Sequence, residues 1–297
     1  MTATRTRLAL GMAAFGSATP ISKIVTDAMP IFVGGGLRVL LGAAVLLPFA
    51  LRSTQLKEIA WRDWLAIGAI SIFGMFGFTA FMLFGMRMVT GVVGATVMST
   101  TPAVTALASM IVLREKPTWR KLLAIALAVA GVLVLQIDQS DPDGDVSFNM
   151  LGPLLVFGAV CCEVVYTLVG KKVSETVPPI AAAGLSAALS VPLFAVLALW
   201  QLQDFDVSAV NARAWLALVW YGVGTLALGS WLWYSGIARA QGSVAAAFMG
   251  VMPASALVLS YFLLDEPFRL LHLVGFATVF IGVLLVSREH GRLAQPS

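Results

Sequence analysis

The amino-acid sequence predicts an all-α membrane protein with ten transmembrane helices, arranged as two inverted five-helix repeats. Three observations carry this prediction: 59% of the 297 residues are apolar and 11% are charged, ten long apolar runs follow one another, and the chain resembles itself at a shift of 151 residues. Soluble domains are about half apolar and a quarter charged, so a soluble core is excluded. The unbroken apolar runs do not alternate as barrel strands do, which leaves helices.

The rest of the composition excludes several classes of function. The net charge of +4 comes from a few loop charges, so no basic surface for nucleic acid is expected. The adjacent Cys161 and Cys162 would form a strained disulfide and are expected to be inert. His272 and His290 have no second ligand at metal spacing, and no GxxxxGKS/T nucleotide loop is present. We therefore expect no metal, no cofactor and no nucleic-acid partner.

Each predicted span is a run of about 20 mostly apolar residues, the length that a helix needs to cross roughly 30 Å of hydrocarbon. The runs are bounded by charged or turn residues. The predicted spans are residues 8–26, 31–51, 64–84, 92–113, 120–137, 151–170, 179–200, 214–235, 243–264 and 270–287. The first 20 residues, with Arg5 and Arg7 before an apolar run, also fit a cleaved signal peptide. The internal repeat of the sequence, described below, favours a transmembrane span there.

The distribution of basic residues predicts the orientation. One set of alternate loops, with both termini, carries about 14 of the 19 Lys and Arg residues, whereas the other set carries four and an acidic loop. Cytoplasmic loops carry the excess of positive charge in membrane proteins. We expect both termini in the cytoplasm and the chain in a bacterial inner membrane.

The two halves of the chain are related in sequence. Residues 85–136 align without a gap on residues 236–287, with 15 of the 52 positions identical. The predicted units are a first repeat at 1–137, an acidic periplasmic connector at 138–149, a second repeat at 150–288 and a cytoplasmic tail at 289–297. Because five is an odd number, the second repeat enters the membrane from the opposite face. Inverted repeats of this kind are typical of secondary transporters.

Spans 4 and 9 share one face of small residues with a proline at its centre. The matched residues are Gly91, Ala95, Met98, Pro102 and Ser109 in span 4, and Gly242, Ala246, Met249, Pro253 and Ser260 in span 9. Close helix packing explains such a face. The same face could instead line a central cavity, with Pro102, Pro253, Gly91 and Gly242 as hinge or gate residues. Both interpretations stay open, and both can hold.

A second set of matched residues resembles a known family. Pro102, Leu113, Glu115 and Gly131-Val132-Leu133 recur as Pro253, Leu264, Glu266 and Gly282-Val283-Leu284. This pattern resembles the tandem EamA domains of the drug/metabolite transporter superfamily, and Lys23 and Arg38 also stand where that family carries them. The resemblance implies a ten-helix transporter, with relatives among amino-acid exporters, aromatic ones included. It also leaves nucleotide-sugar and sugar-phosphate carriers open. Glu115 and Glu266 themselves are expected to cap the short turns that follow spans 4 and 9.

Only two charged residues lie well inside the predicted spans, Arg38 and Glu163. Such residues are costly in a membrane and mark functional sites. Arg38 fits either a scaffold role near the glycines of span 2 or a place in the cavity. Glu163 shares a helix face with Tyr166 and is predicted to bind a proton or a substrate ammonium group. A hydrogen-bonded, protonated Glu163 with no transport role is the alternative.

Residues that differ between the repeats are the better candidates for substrate contact. Spans 3 and 8 offer Thr79, Ser230, Trp231 and Tyr234. The full set of candidate cavity residues is Glu163, Tyr166, Trp231, Tyr234, Thr79, Ser230, Met98, Met249, Ser99 and Arg38. The neighbouring hydroxyls of Thr100 and Thr101 are expected to satisfy carbonyls that the proline leaves free.

These features predict a secondary active transporter, an exporter of small amphipathic metabolites such as amino acids, that works by alternating access. Its expected partners are a small-molecule substrate, the lipid bilayer and protons, and the expected oligomeric state is a monomer or a homodimer. A carrier or exchanger of nucleotide sugars or sugar phosphates is the alternative within the same fold. A membrane-embedded transferase is the alternative in another class, but it needs a converging catalytic set that a lone Glu163 does not supply.

Overall fold

A computed structural model describes residues 2–53, 58–112, 118–137, 150–237 and 248–293. Within these ranges every regular element is a helix, as predicted. The helices are α1 (Thr2–Ala28), α2 (Ile31–Ser53), α3 (Trp61–Met88), α4a (Gly91–Met98), α4b (Thr101–Val112), α5 (Trp119–Ile137), α6 (Leu151–Val173), α7 (Pro179–Gln201), α8 (Ala212–Gly236), α9 (Val251–Leu264) and α10 (Leu270–Leu293).

Six of the described helices are long and apolar enough to cross a membrane by length and composition: α1, α2, α3, α6, α7 and α8. Shorter apolar helices lie within α5, α9 and α10. Large apolar side chains such as Val196, Trp200 and Phe262 are more than two-thirds exposed. In a soluble protein such a surface would be a liability, whereas in a bilayer it faces hydrocarbon. The predicted all-α membrane fold is therefore confirmed.

The fourth span is not the continuous helix that the sequence predicted at 92–113. The helix ends at Met98, turns through Ser99 and Thr100, and begins again at Thr101. The amide of Thr100 donates to the carbonyl of Val97, three residues back, at 3.0 Å, which tightens the chain at the break. Pro102 is then the second residue of α4b, where a missing N–H costs no helical hydrogen bond.

The second repeat has a turn at the corresponding place. Met249 and Gly250 form a turn, α9 begins at Val251, and Pro253 is its third residue. Both prolines therefore lie in the first turn of a helix, just after a turn of the chain, rather than in the middle of a helix. The predicted hinge residue Gly242, like most of the predicted start of this span and the 138–149 connector, lies outside the described residues.

Two π-helical segments interrupt α3 and α8 at matched positions. They are Ile70–Gly77 in α3 and Trp220–Leu228 in α8. A shift of 151 residues places the end of one on the end of the other. π-helical turns are rare and occur frequently at functional sites, because the wider turn redirects the side chains around it. Thr79, just after the first segment, and Tyr221, within the second, are both fully buried.

Glycine contacts reveal the relation between the two repeats. A Cβ on Gly36 of α2 would lie 3.2 Å from the Cβ of Phe194 on α7, and one on Gly184 of α7 would lie 3.2 Å from the Cβ of Leu46 on α2. At a shift of 148 residues Gly36 corresponds to Gly184 and Leu46 corresponds to Phe194, so the two contacts are equivalent. α2 and α7 therefore pack around a local two-fold axis.

The same relation holds between α5 and α10. A Cβ on Gly131 would overlap the side chain of Val279 and lie 2.6 Å from the carbonyl oxygen of Gly275. A Cβ on Gly282 would lie 3.0 Å from the carbonyl oxygen of Ala124. Gly131 matches Gly282, and Ala124 matches Gly275, at the 151-residue shift. These glycines let the two backbones approach closely, as small residues do in membrane helix pairs.

α1 and α6 are the first helices of the two repeats, and each packs against helices of the other repeat. α1 packs against α8 and α9, whereas α6 packs against α3 and α4a. Each repeat thus inserts its first helix among the third and fourth helices of the other. This exchange, together with the two symmetric glycine contacts, gives the molecule the pseudo-two-fold symmetry expected of inverted repeats.

Glu266 links the repeats in a way that the sequence did not predict. Its carboxylate accepts hydrogen bonds from the backbone N–H groups of Gly91 and Val92, the latter at 2.9 Å. These are the free amides at the start of α4a, where a negative charge is favourable. The prediction that Glu266 caps its own turn is therefore wrong: it caps a helix of the other repeat. Glu115, its match, lies outside the described residues.

Candidate transport site

Glu163 lies in the interior of the helix bundle, at the break between α4a and α4b. The hydroxyl of Thr101, the first residue of α4b, is 3.0 Å from Oε2 of Glu163 on α6. The same hydroxyl is 2.8 Å from the carbonyl oxygen of Met98, at the end of α4a. The interruption of the fourth span therefore brings a hydroxyl group to the half-buried carboxyl of the second repeat.

This arrangement has one proton and two acceptors. A threonine hydroxyl donates one hydrogen bond, so with an ionised Glu163 it satisfies either the carboxylate or the Met98 carbonyl. When Glu163 carries a proton, its own O–H donates to the Thr101 oxygen, and Thr101 donates to Met98. Both contacts are then satisfied. The geometry thus accommodates a proton on Glu163 and links it to the broken helix.

Two tyrosines extend the polar group on α6. The hydroxyls of Tyr166 and Tyr234 are 3.0 Å apart, which joins α6 to α8. Gly74, in the π-helical segment of α3, packs against the ring of Tyr166, and a Cβ there would lie 2.7 Å from its Cδ2. Glu163, Tyr166 and Tyr234, which were predicted as cavity residues from spans 6 and 8, therefore belong to one cluster with Thr101.

Arg38 forms a second polar group with side chains of both repeats. Its Nη1 donates a hydrogen bond to the hydroxyl of Thr79. Its guanidinium carbon lies 4.1 Å from the ring centroid of Tyr221 and 5.4 Å from that of Phe78. Arg38 is 7% exposed, and Thr79 and Tyr221 are fully buried.

The backbone holds Arg38 against Tyr221. A Cβ on Gly222 would lie 2.7 Å from the carbonyl oxygen of Arg38 and 2.7 Å from the Cβ of Leu41. Only glycine permits this approach of α8 to α2. The guanidinium of Arg38 thus lies inside the bundle, over the ring of Tyr221.

The side chains of the other predicted residues have different surroundings. Trp231 is 46% exposed, and the guanidinium carbon of Arg7 lies 5.9 Å from its ring centroid. Met249 is 44% exposed, whereas Met98 packs in an apolar cluster with residues of α6. Ser99 is buried and donates to the carbonyl of Thr96 at 2.6 Å.

Ser230, which corresponds to Thr79 in the other repeat, is buried on α8. The backbone N–H of Gly91 donates a hydrogen bond to the carboxylate of Glu266. Within the described ranges no three metal-ligating side chains come together.

Sequence reasoning missed the roles of Thr101, Phe78 and Tyr221. Thr101 does reach the carbonyl of Met98, as expected, but its contact with Glu163 depends on how α4b packs on α6. Tyr221 was one of several aromatic residues in span 8. No pattern in the sequence distinguished it, because its contact with Arg38 depends on the π-helical segment and on the close approach at Gly222.

The fold and the buried polar groups define a class of protein, the multi-pass helical membrane proteins built from two inverted repeats. Within that class the chain belongs to the EamA-like transporter family, whose model matches residues 7–137 and 150–288. The protein is thus a transporter of the EamA type in the drug/metabolite group. Membership in a family of transporters supports a non-enzymatic role.

Relatives named as uncharacterized transporters occur in bacteria and archaea. The chain is 29% identical over 279 residues to the uncharacterized transporter YetK of Bacillus subtilis (strain 168), an alignment that covers 94% of this chain and 84% of that protein. It is 28% identical over 236 residues to an uncharacterized transporter of Archaeoglobus fulgidus, covering 78% and 81%. A solved crystal structure shares the fold with a TM-score of 0.67 at 19% identity, covering 97% of this chain and 98% of that one.

Proposed function

We propose that the protein is a secondary active transporter that exports small amphipathic metabolites, amino acids among them, by alternating access. The observation that carries this proposal is the hydrogen bond between Glu163 and Thr101 at the break in the fourth span. A titratable carboxyl inside the bundle is thereby linked to an interrupted helix, the combination found at transporter binding sites.

The symmetry of the fold supports alternating access. Two matched halves can exchange their conformations, so that an opening on one side of the membrane is replaced by an opening on the other. The breaks before Pro102 and Pro253 are at matched positions in helices that pack against each other. They are the points at which α4 and α9 would bend. In this proposal both termini face the cytoplasm and the protein lies in a bacterial inner membrane.

Glu163 would bind a proton or the ammonium group of the substrate. The titratable groups described around it are Tyr166, on its own helix, and Tyr234 of α8, which is hydrogen-bonded to Tyr166. Both are phenols, so a proton or a substrate cation would meet Glu163 as its anionic partner. Binding and release of the proton or the ammonium group at this carboxyl would change the hydrogen bonds of Thr101. This change would in turn influence the junction of α4a and α4b.

The test is counterflow in proteoliposomes with labelled amino acids, sugars, sugar phosphates and nucleotide sugars. We expect exchange of one or more amino acids by the wild-type protein. Exchange of none of these solutes would contradict the proposal, and exchange of sugar phosphates or nucleotide sugars alone would establish the other branch of the superfamily.

The Glu163→Gln variant tests the role of the carboxyl. Glutamine keeps the size and the hydrogen-bond acceptor but cannot bind a proton, so we expect transport to fall roughly 10-fold or more and to lose its dependence on pH between about 5 and 8. Glu175→Gln, at the exposed end of α6, is the matched control and should transport normally. Wild-type transport by Glu163→Gln across this pH range would refute the role.

A further inference from the structure

Unpaired polar atoms in the interior point to a second binding site, at Arg38. Among the described residues, three buried side-chain atoms lack a hydrogen-bond partner: Nε of Arg38, the hydroxyl of Tyr221 and the hydroxyl of Ser71. The first two belong to side chains in direct contact. Buried polar groups in proteins are almost always paired, so two neighbouring unpaired donors require an explanation.

The positive charge of Arg38 is also without a counter-ion in the part of the chain that the structure describes. The one ion pair found there joins Lys23 and Asp27, at 3.2 Å. The ring of Tyr221 compensates the guanidinium in part through a cation–π contact. A full positive charge that is 7% exposed inside a membrane protein still favours the approach of an anion.

The free edge of Arg38 suits one kind of anion. Thr79 engages Nη1, whereas Nε, which forms the opposite edge with Nη2, is buried without a hydrogen-bond partner. This edge presents two parallel N–H donors, which match the two oxygens of a carboxylate. The Tyr221 hydroxyl, on the ring that contacts the guanidinium, is a further buried donor without a partner. Phe78 and the Tyr221 ring hold the guanidinium plane in place, so little freedom is lost on binding.

We propose that Arg38 and Tyr221 form an anion subsite that holds the carboxylate of the transported substrate. This rests on the proposed function, because it assigns the substrate's anionic group to a position in the same transporter. The subsite is separate from Glu163. Gly77 of α3 contacts Cys162, next to Glu163, while Thr79 contacts Arg38, so the two sites lie at the same level of α3.

The first test needs no ligand. In Arg38→Met the apolar stem is kept and the unpaired charge is removed. If the guanidinium is held for a substrate, the purified apo-protein in detergent should melt at the same Tm or higher, because a desolvated charge has been removed. Arg87→Met, at an exposed arginine, is the control. A fall in Tm of more than about 5 °C relative to this control would show that Arg38 is structural and would overturn the proposal.

The second test measures binding with matched solutes. L-phenylalanine and L-leucine should raise the Tm of the wild-type protein, whereas their amides, which lack the carboxylate, should not. Arg38→Met should raise the half-saturating concentration of the acids roughly 10-fold or more. Tyr221→Phe should raise it less and should leave the Tm of the apo-protein unchanged. Equal responses to acids and amides, no response to any carboxylate, or a response only to inorganic phosphate or glucose 6-phosphate would each overturn the carboxylate assignment.

The two proposals can fail separately. Counterflow of amino acids that is equal to that of their amides and unaffected by Arg38→Met would leave the transporter function standing and refute the subsite. Absence of counterflow, together with carboxylate binding that depends on Arg38, would refute the proposed transport of amino acids and support the subsite.

Discussion

At the scale of single residues, buried and half-buried hydroxyl groups connect helices that the sequence keeps far apart. Thr101 joins α4b to Glu163 of α6, Tyr166 joins α6 to Tyr234 of α8, and Thr79 joins α3 to Arg38 of α2. In a bilayer such bonds have no competition from water. Their measured contributions are nevertheless about 1 kcal/mol, because partners are also found in the unfolded membrane state.

The Tyr166–Tyr234 bond predicts a non-additive pair of mutations. Tyr166→Phe and Tyr234→Phe should each lower the free energy of unfolding by about 0.5–1.5 kcal/mol, because each leaves the other hydroxyl buried without its partner. The double variant should cost little more than either single one, which gives a coupling energy of about 1 kcal/mol. Chemical unfolding in detergent measures all three.

Tyr221→Phe is the control for this cycle, since its hydroxyl has no partner among the described residues. Its removal should change the free energy of unfolding by less than about 0.5 kcal/mol. Strictly additive losses in Tyr166→Phe and Tyr234→Phe would show that the 3.0 Å contact between their hydroxyls contributes nothing to stability.

At the scale of helices, both repeats place their irregular backbone at matched positions. The fourth span of each has a turn two to four residues before a proline, and the third helix of each contains a π-helical segment. Irregular backbone at membrane depth is tolerated where it is buried within protein or lines a water-filled space. Three of these segments adjoin polar groups of the interior: the turn before Thr101 lies at Glu163, one π-helical segment ends next to Thr79, and the other contains Tyr221.

The start of α4a depends on a residue of the other repeat. Glu266→Ala removes the acceptor for the N–H groups of Gly91 and Val92, and we expect a loss of about 1–2 kcal/mol in the free energy of unfolding. Glu266→Gln keeps one acceptor oxygen, so its stability should lie between that of the wild-type protein and that of Glu266→Ala. Thermal unfolding in detergent measures the series.

Glu175→Ala, at the exposed end of α6, serves as the matched control and should change stability by less than about 0.5 kcal/mol. If Glu266→Ala were no more destabilising than Glu175→Ala, the proposed cap would contribute nothing to the joining of the two repeats.

At the scale of the whole molecule, the glycine contacts between α5 and α10 hold the two repeats together. Gly131→Ala would bring a methyl group against the backbone of Gly275, which cannot move aside without displacing α10. We expect a loss of about 1–3 kcal/mol in the free energy of unfolding. The measurement is chemical unfolding of the purified protein in detergent.

Gly68→Ala is the matched control, because a Cβ at this glycine of α3 meets nothing within 4 Å. Alanine is the better helix former by about 1 kcal/mol, so this variant should be unchanged or more stable. A Gly131→Ala protein as stable as Gly68→Ala would mean that α5 and α10 separate without cost.

The architecture was predictable from the sequence because it depends on averages over long segments. Each span contains about 20 mostly apolar residues, so single exceptions such as Arg38 or Glu163 do not obscure it. The break at Ser99 and Thr100 was not predictable as such. Pro102 indicated an irregularity, but whether a proline kinks a helix or begins a new one depends on the neighbouring carbonyls and on the packing of both halves.

The candidate sites were predictable in part for the same reason. Charged residues within apolar spans are conspicuous in any sequence, which is why Arg38 and Glu163 were identified at once. Aromatic residues are common in every span, so Trp231 and Tyr221 could not be ranked. The structure gives them different surroundings: Trp231 lies half exposed beside Arg7, and Tyr221 is buried under Arg38.

The sequence by itself determined that this chain is a membrane protein of two related halves, since hydropathy and self-similarity are properties of the order of residues alone. Only the tertiary structure decided which residues meet across the repeats. Glu266 reaches Gly91, and Arg38 reaches Tyr221, over separations of more than 170 residues. Such contacts arise from the packing of whole helices around a common axis, and no local pattern of residues encodes that geometry.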